Sequence, residues 1–243
     1  MRVIGILGGM SWQSTALYYN AINQGVNARL GGLHSAELVL YSVDFGAIEQ
    51  CQHKGDWKGA AAIMAQAGQR LAAAGAEAIL IATNTMHKRA DDVIAASNLP
   101  LLHIADATGQ AIVDAGFKKP LLLATAFTME QDFYIARLTD QFNLDVVIPD
   151  AADRKDIHRI IYDELCQGVV RDESRQIYQK VMAKYAGQTD CVIMGCTEIT
   201  MLIGAEDAPH PLFDTTALHA KAAVDFALQD MGQDIGQKGG QDD

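Results

Sequence analysis

Short uninterrupted apolar runs alternate with longer stretches of helical periodicity along this chain. The clearest run is Ala78-Ile79-Leu80-Ile81-Ala82, followed at once by Thr83-Asn84-Thr85-Met86-His87. An apolar run of this length, bounded by small polar residues, predicts a strand covered on both faces of a parallel sheet. Helix formers come next, so Thr83-Asn84-Thr85 is expected where a strand ends and a helix begins. Backbone N–H groups and the positive end of the helix dipole meet at such a junction and suit a carboxylate or phosphate. Cys191-Val192-Ile193-Met194-Gly195-Cys196-Thr197-Glu198 repeats the pattern, with Cys196 in the place of Thr83. Two copies predict two related half-sites facing each other.

The same reading places further strands at residues 2–7, 36–43, 101–104, 121–126, 146–149 and 212–213. Helices are expected through Tyr18 and Ile22, over 58–74, from Thr83 to near Pro100, and over 107–115, 128–142, 156–167 and 173–185. Two more are expected from Glu198 and over 215–229. Residues 44–57 read as polar and irregular. Strands alternating with helices call for an α/β fold with parallel sheets. The chain also repeats itself: Ile6-Leu7-Gly8-Gly9-Met10-Ser11 stands to Thr83 as Leu123-Ala124-Thr125-Ala126-Phe127-Thr128 stands to Cys196. Two similar Rossmann-like lobes with pseudo-two-fold symmetry follow. Residues 1–100 with 209–231 form the lobe with the Thr83 half-site, and 101–208 the lobe with Cys196. The active site is expected in the cleft between them. The polar tail, 232–243, has nothing to bury and is expected to be disordered.

Composition narrows the function. At 49% hydrophobic over 243 residues, the chain can bury one or two good cores. A net charge of −11 with no basic run argues against nucleic acid as a partner. No apolar run reaches bilayer length, and the N-terminal stretch is too short for a signal peptide, so no membrane partner is expected. Cys51, Cys166, Cys191 and Cys196 show neither CxxC spacing nor disulfide density, as in a cytoplasmic protein with reduced thiols. Singly, Cys51, Cys166 and Cys191 read as small core residues. His87, one turn beyond Thr83, reads as structural, and no His/Cys/Asp spacing suggests a metal. Gly5-Ile6-Leu7-Gly8-Gly9 misses the dinucleotide spacing, and no lysine has a pyridoxal-phosphate context, so no cofactor is implied.

Four stretches carry a resemblance: Ile4-Gly5-Ile6-Leu7-Gly8-Gly9-Met10-Ser11-Trp12, Leu30-Gly31-Gly32-Leu33-His34-Ser35-Ala36, Thr83-Asn84-Thr85-Met86-His87 and Gly195-Cys196-Thr197-Glu198. Together they resemble the cofactor-independent aspartate/glutamate racemase family, over nearly the whole chain. In that family two cysteines flank the substrate Cα; one removes its proton and the other protonates the opposite face. The resemblance maps Cys196 onto one and Thr83 onto the other. The chain resembles in particular the members of enteric bacteria specific for L-aspartate and L-glutamate, which also carry this threonine. It further implies an acidic amino acid as partner, a homodimer, and a substrate contact at Met10. Gln52 falls where some relatives have an arginine for the distal carboxylate.

A thiol suits proton transfer because its reference pKa is about 8.5 and a helix N-terminus lowers it. Cys196 is therefore expected to be an acidified base, and Thr83 a donor to the other face. Asn84, Thr85 and Thr197 are expected to anchor the α-carboxylate, and Glu198 to orient Cys196 or cap its turn. Two alternatives stay open. A single thiol also fits a decarboxylase or cis-trans isomerase of a dicarboxylic acid on this scaffold, and a non-catalytic protein that binds acidic amino acids would share the anchors.

Overall fold

The computed structural model describes residues 1–230; the tail over 232–243 lies outside them. In chain order the elements are β1 (Ile4–Gly8), α1 (Trp12–Leu30), β2 (Leu38–Ser42), α2 (Phe45–Lys54), α3 (Trp57–Ala73) and β3 (Ala78–Ile81). Then come α4 (Ala90–Ser97), β4 (Leu101–Leu102), α5 (Ile104–Asp114), β5 (Pro120–Ala124), α6 (Ala126–Glu130) and α7 (Asp132–Phe142). The rest are α8 (Ala151–Asp163), α9 (Asp172–Tyr185), β6 (Cys191–Gly195), β7 (Leu212–Asp214) and α10 (Thr215–Leu228).

The fold is α/β with two parallel sheets, one in each of two lobes. The first sheet has the order β2-β1-β3-β4, with Ile4 opposite both Leu38 and Ala78. The second has the order β5-β6-β7, with Pro120 opposite Cys191 and Val192 opposite Leu212. Strands β1, β3, β5 and β6 are buried along their full length, as their unbroken apolar runs require. Each sheet has its own core. Ile4, Ile6, Leu80, Tyr18, Ile22 and Val224 pack in the first, and Leu122, Ile193, Tyr134, Ile160 and Tyr178 in the second. By contacts, one compact unit holds residues 1–82, 89–102 and 219–230, and the other holds 83–88 and 103–218.

Several elements differ from the sequence reading. Residues 44–57 are not irregular: Asp44 caps α2 by accepting from the Gly46 N–H, and Gly55 ends it in the left-handed region. Only Ile48 and Gln52 of that helix are buried, so its polarity masked it. The expected 128–142 helix is two helices, because Gln131 is extended at φ −113°. At 146–149 only a single bridge, Leu121 to Val147, forms. The strand expected at 101–104 stops at Leu102, because His103 already caps α5.

Candidate active site

Both motif turns leave the carboxyl ends of buried strands, and neither begins a regular α-helix. Thr85–Arg89 is a 3-10 turn ahead of α4, and Thr197–Met201 is a 3-10 turn capped by Cys196 with no α-helix after it. Thr83 is half-buried, whereas Asn84, Thr85, Thr197 and Glu198 are buried. All of them, with Cys196, belong to the second unit.

Hydrogen bonds tie the two turns together through residues the sequence did not single out. The Asn84 Nδ2 donates to Thr215 Oγ1 at 3.1 Å, and Thr215 in turn donates to the Met194 carbonyl at 2.9 Å. Next along α10, Thr216 donates to Thr197 Oγ1 at 3.0 Å. Because Thr215 spends its proton on Met194, it can only accept from Asn84. That fixes the Asn84 amide and leaves its buried Oδ1 without a partner. Thr85 Oγ1 lies 3.1 Å from Thr125 Oγ1 and 3.3 Å from Thr128 Oγ1, a buried group of three hydroxyls. The repeat of Ile6–Ser11 at Leu123–Thr128 pointed to this turn; nothing local in the sequence pointed to Thr215 or Thr216.

Electrostatics at Cys196 run opposite to the expectation of an acidified thiol. Burial pushes the thiol well above its ordinary value, and the negative charge of Glu198 adds to this. The Cys196 Sγ donates to Glu198 Oε2 at 2.9 Å. A hydrogen bond from the Glu198 backbone N–H favours the thiolate but is outweighed. A turn this short brings little dipole to bear. Tyr178, fully buried and with its hydroxyl unpartnered, lies near this group. Cys166 does too, its thiol pushed up to about 12 by burial and then by Glu198.

Met10 and Gln52 belong to the first unit and are both buried, at 6% and 5% exposure. Met10 follows Gly9, whose φ of +98° and 2.2 Å approach of a would-be Cβ to the Val43 carbonyl admit only glycine. Gln52 lies on the inner face of α2. A cavity of about 380 Å³ beside α1 and β2, lined by Trp12, Tyr19 and Leu40 among others, contains none of the sequence-predicted residues. Among the described residues no cluster of three or more His, Cys, Asp or Glu side chains is arranged to hold a metal ion. No helix there is long and apolar enough to cross a membrane.

Parallel sheets in two lobes, with small-residue turns at strand ends bearing a thiol and a hydroxyl, define an α/β protein built for chemistry at its strand ends. The family described as Asp/Glu/Hydantoin racemase matches residues 7–223, and the chain belongs to it. A crystal structure of a candidate Asp/Glu racemase from Yersinia pestis is 55% identical, with a TM-score of 0.89, covering 94% of this chain and 100% of that one. An aspartate racemase homologue from Pyrococcus horikoshii is 33% identical at a TM-score of 0.79, over 93% and 99% of the two chains. The broad specificity amino-acid racemase RacX of Bacillus subtilis is 23% identical over 93% of this chain and 98% of its own length. The protein is accordingly an isomerase, a cofactor-independent amino-acid racemase.

Proposed function

We propose that the protein racemises aspartate or glutamate by proton transfer at Cα, with Cys196 and Thr83 acting on opposite faces. The observation that carries this is the pair of links, Asn84 to Thr215 to Met194 and Thr216 to Thr197, which joins the two turns within one unit. Cys196 gives its proton to the Glu198 carboxylate, and the resulting thiolate takes the Cα proton of the L-enantiomer. A thiolate of raised pKa is scarce but strongly basic, which suits a weakly acidic C–H bond. The Thr83 hydroxyl, which bonds to no other described residue, donates to the opposite face, and the proton held by Glu198 returns through solvent to the threonine oxygen to close the cycle. Thr85 and Thr197 anchor the α-carboxylate. The Asn84 Oδ1 is an acceptor, so its side chain suits the α-ammonium, and its backbone N–H the carboxylate. By the resemblance Met10 is a substrate contact, and Gln52 serves the distal carboxylate by hydrogen bonding alone. A cytoplasmic homodimer is part of the same proposal.

Free enantiomers have equal free energy, so kcat/KM must be equal in the two directions even when kcat and KM differ. Proton NMR in heavy water, with each enantiomer of both amino acids, tests the assignment. Deuterium should enter Cα of the L-substrate faster than it converts, and Cys196→Ser should abolish entry. Equal entry from both enantiomers refutes a passive Thr83. Release of carbon dioxide from a malonate without racemisation indicates a decarboxylase, and tight binding without exchange a non-catalytic protein.

A further inference from the structure

His87 makes three hydrogen bonds around the Thr83 turn. Its Nδ1 lies 2.8 Å from the Thr83 carbonyl, and its Nε2 lies 3.2 Å from the Ile104 backbone nitrogen. Its own backbone N–H donates to the Asn84 carbonyl at 3.2 Å. A carbonyl cannot donate and a backbone N–H cannot accept. Nδ1 therefore carries the proton, Nε2 does not, and the ring is neutral in one tautomer. The ring is 3% exposed and meets His103 edge-on at 4.4 Å between centroids.

A trans peptide points its C=O and N–H in opposite directions. By capturing the carbonyls of Thr83 and Asn84, His87 turns the N–H groups of Asn84 and Thr85 away from itself. Neither N–H has a backbone or side-chain acceptor among the described residues. The Ile104 N–H, in the first turn of α5, also feeds a chain of bonds through the ring to the Thr83 carbonyl. Each bond in such a chain polarises the next, so the chain strengthens the Asn84 N–H as a donor.

We propose that His87 is a positioning residue that aims and polarises the Asn84 and Thr85 N–H pair toward the α-carboxylate of the substrate. The inference rests on the reading of Thr83 and Cys196 as the proton carriers. Negative charge on the carboxylate grows as the Cα proton leaves, so this pair contributes more to the transition state than to binding. His87 therefore governs kcat more than KM.

His87→Phe removes both ring hydrogen bonds, and His87→Asn keeps a donor near the Nδ1 position. Loss of a direct oxyanion donor costs about 100-fold or more in kcat, and His87 acts one bond removed, so His87→Phe should lose about 10-fold or more. KM should stay within about threefold. His87→Asn should recover part of the loss, and nitrogen NMR of the wild type should show the Nδ1–H tautomer. A folded His87→Phe with kcat within about twofold of wild type overturns the proposal. So does an Nε2–H tautomer, and so does His87→Asn performing no better than His87→Phe. If His87→Phe does not fold, the tautomer decides. Thr83→Ala and Cys196→Ser run alongside: undiminished racemisation in Thr83→Ala, or undiminished exchange in Cys196→Ser, refutes the proton-carrier reading, whereas the tautomer tests His87 independently.

Discussion

The Glu198 carboxylate, 2.9 Å from the Cys196 sulfur, invites the most direct perturbation. Glu198→Gln keeps the shape and an acceptor oxygen but removes the charge. A thiolate and a carboxylate at that separation repel by about 1.4 kcal/mol in a water-like medium and about 6 kcal/mol at an effective permittivity near 20. Even the lower figure is about tenfold in thiolate population at fixed pH. The sign follows from the thiol's elevation: in the wild type Cys196 is protonated at neutral pH, so exchange from the L-enantiomer should rise with pH into the alkaline range. In Glu198→Gln the rise should begin at lower pH. Iodoacetamide should alkylate Cys196 about tenfold faster at neutral pH, measured by mass spectrometry with Cys196→Ser as control. The plateau rate of racemisation, reached where Cys196 is already ionised, should nevertheless fall, because the thiolate of the variant is a weaker base. Alkylation at or below the wild-type rate would refute the electrostatic argument. A higher plateau would refute the argument that Glu198 makes the thiolate a stronger base.

Thr215→Val removes the bridge between Asn84 and Met194 and should cost about 1–3 kcal/mol of stability in denaturant titration, with lower kcat. Glu164 is 5% exposed and hydrogen-bonded to Ser174 at 2.5 Å and Arg159 at 3.0 Å. Burial alone would raise its carboxyl, but these bonds and the nearby Arg171 outweigh it and hold the group below its ordinary value. Glu164→Gln should therefore cost about 2 kcal/mol near pH 7. The deficit should shrink as pH falls below about 4, where the wild-type carboxylate is progressively protonated, in pH-dependent unfolding. Tyr178→Phe deletes a buried hydroxyl that has no partner and should leave Tm unchanged or raise it by about 2–4 °C. A clear fall in Tm would reveal a partner for that hydroxyl.

The expectations that held are those set by local pattern. Ala78–Ile81 and Cys191–Gly195 had to be buried parallel strands, because an unbroken apolar run admits no solvent-facing side. The residues after them had to lie at strand ends. Where local signals conflicted, the reading slipped. Phe45–Lys54 looked like loop because only Ile48 and Gln52 of its residues are buried. The helix expected from Glu198 is a short 3-10 turn, in which the carboxylate two residues on bonds back to the Cys196 thiol.

The sequence by itself determined the α/β class, the two strand-end turns and the residues they carry, since these follow from periodicity and motif over short spans. Only the tertiary structure decided the state of the thiol and the bracing of the turns. Thr215 lies 131 residues from Asn84, and a hydrogen bond across such a distance leaves no local trace. Nor can sequence weigh burial and a facing carboxylate against a helix field, because each depends on what folding brings alongside.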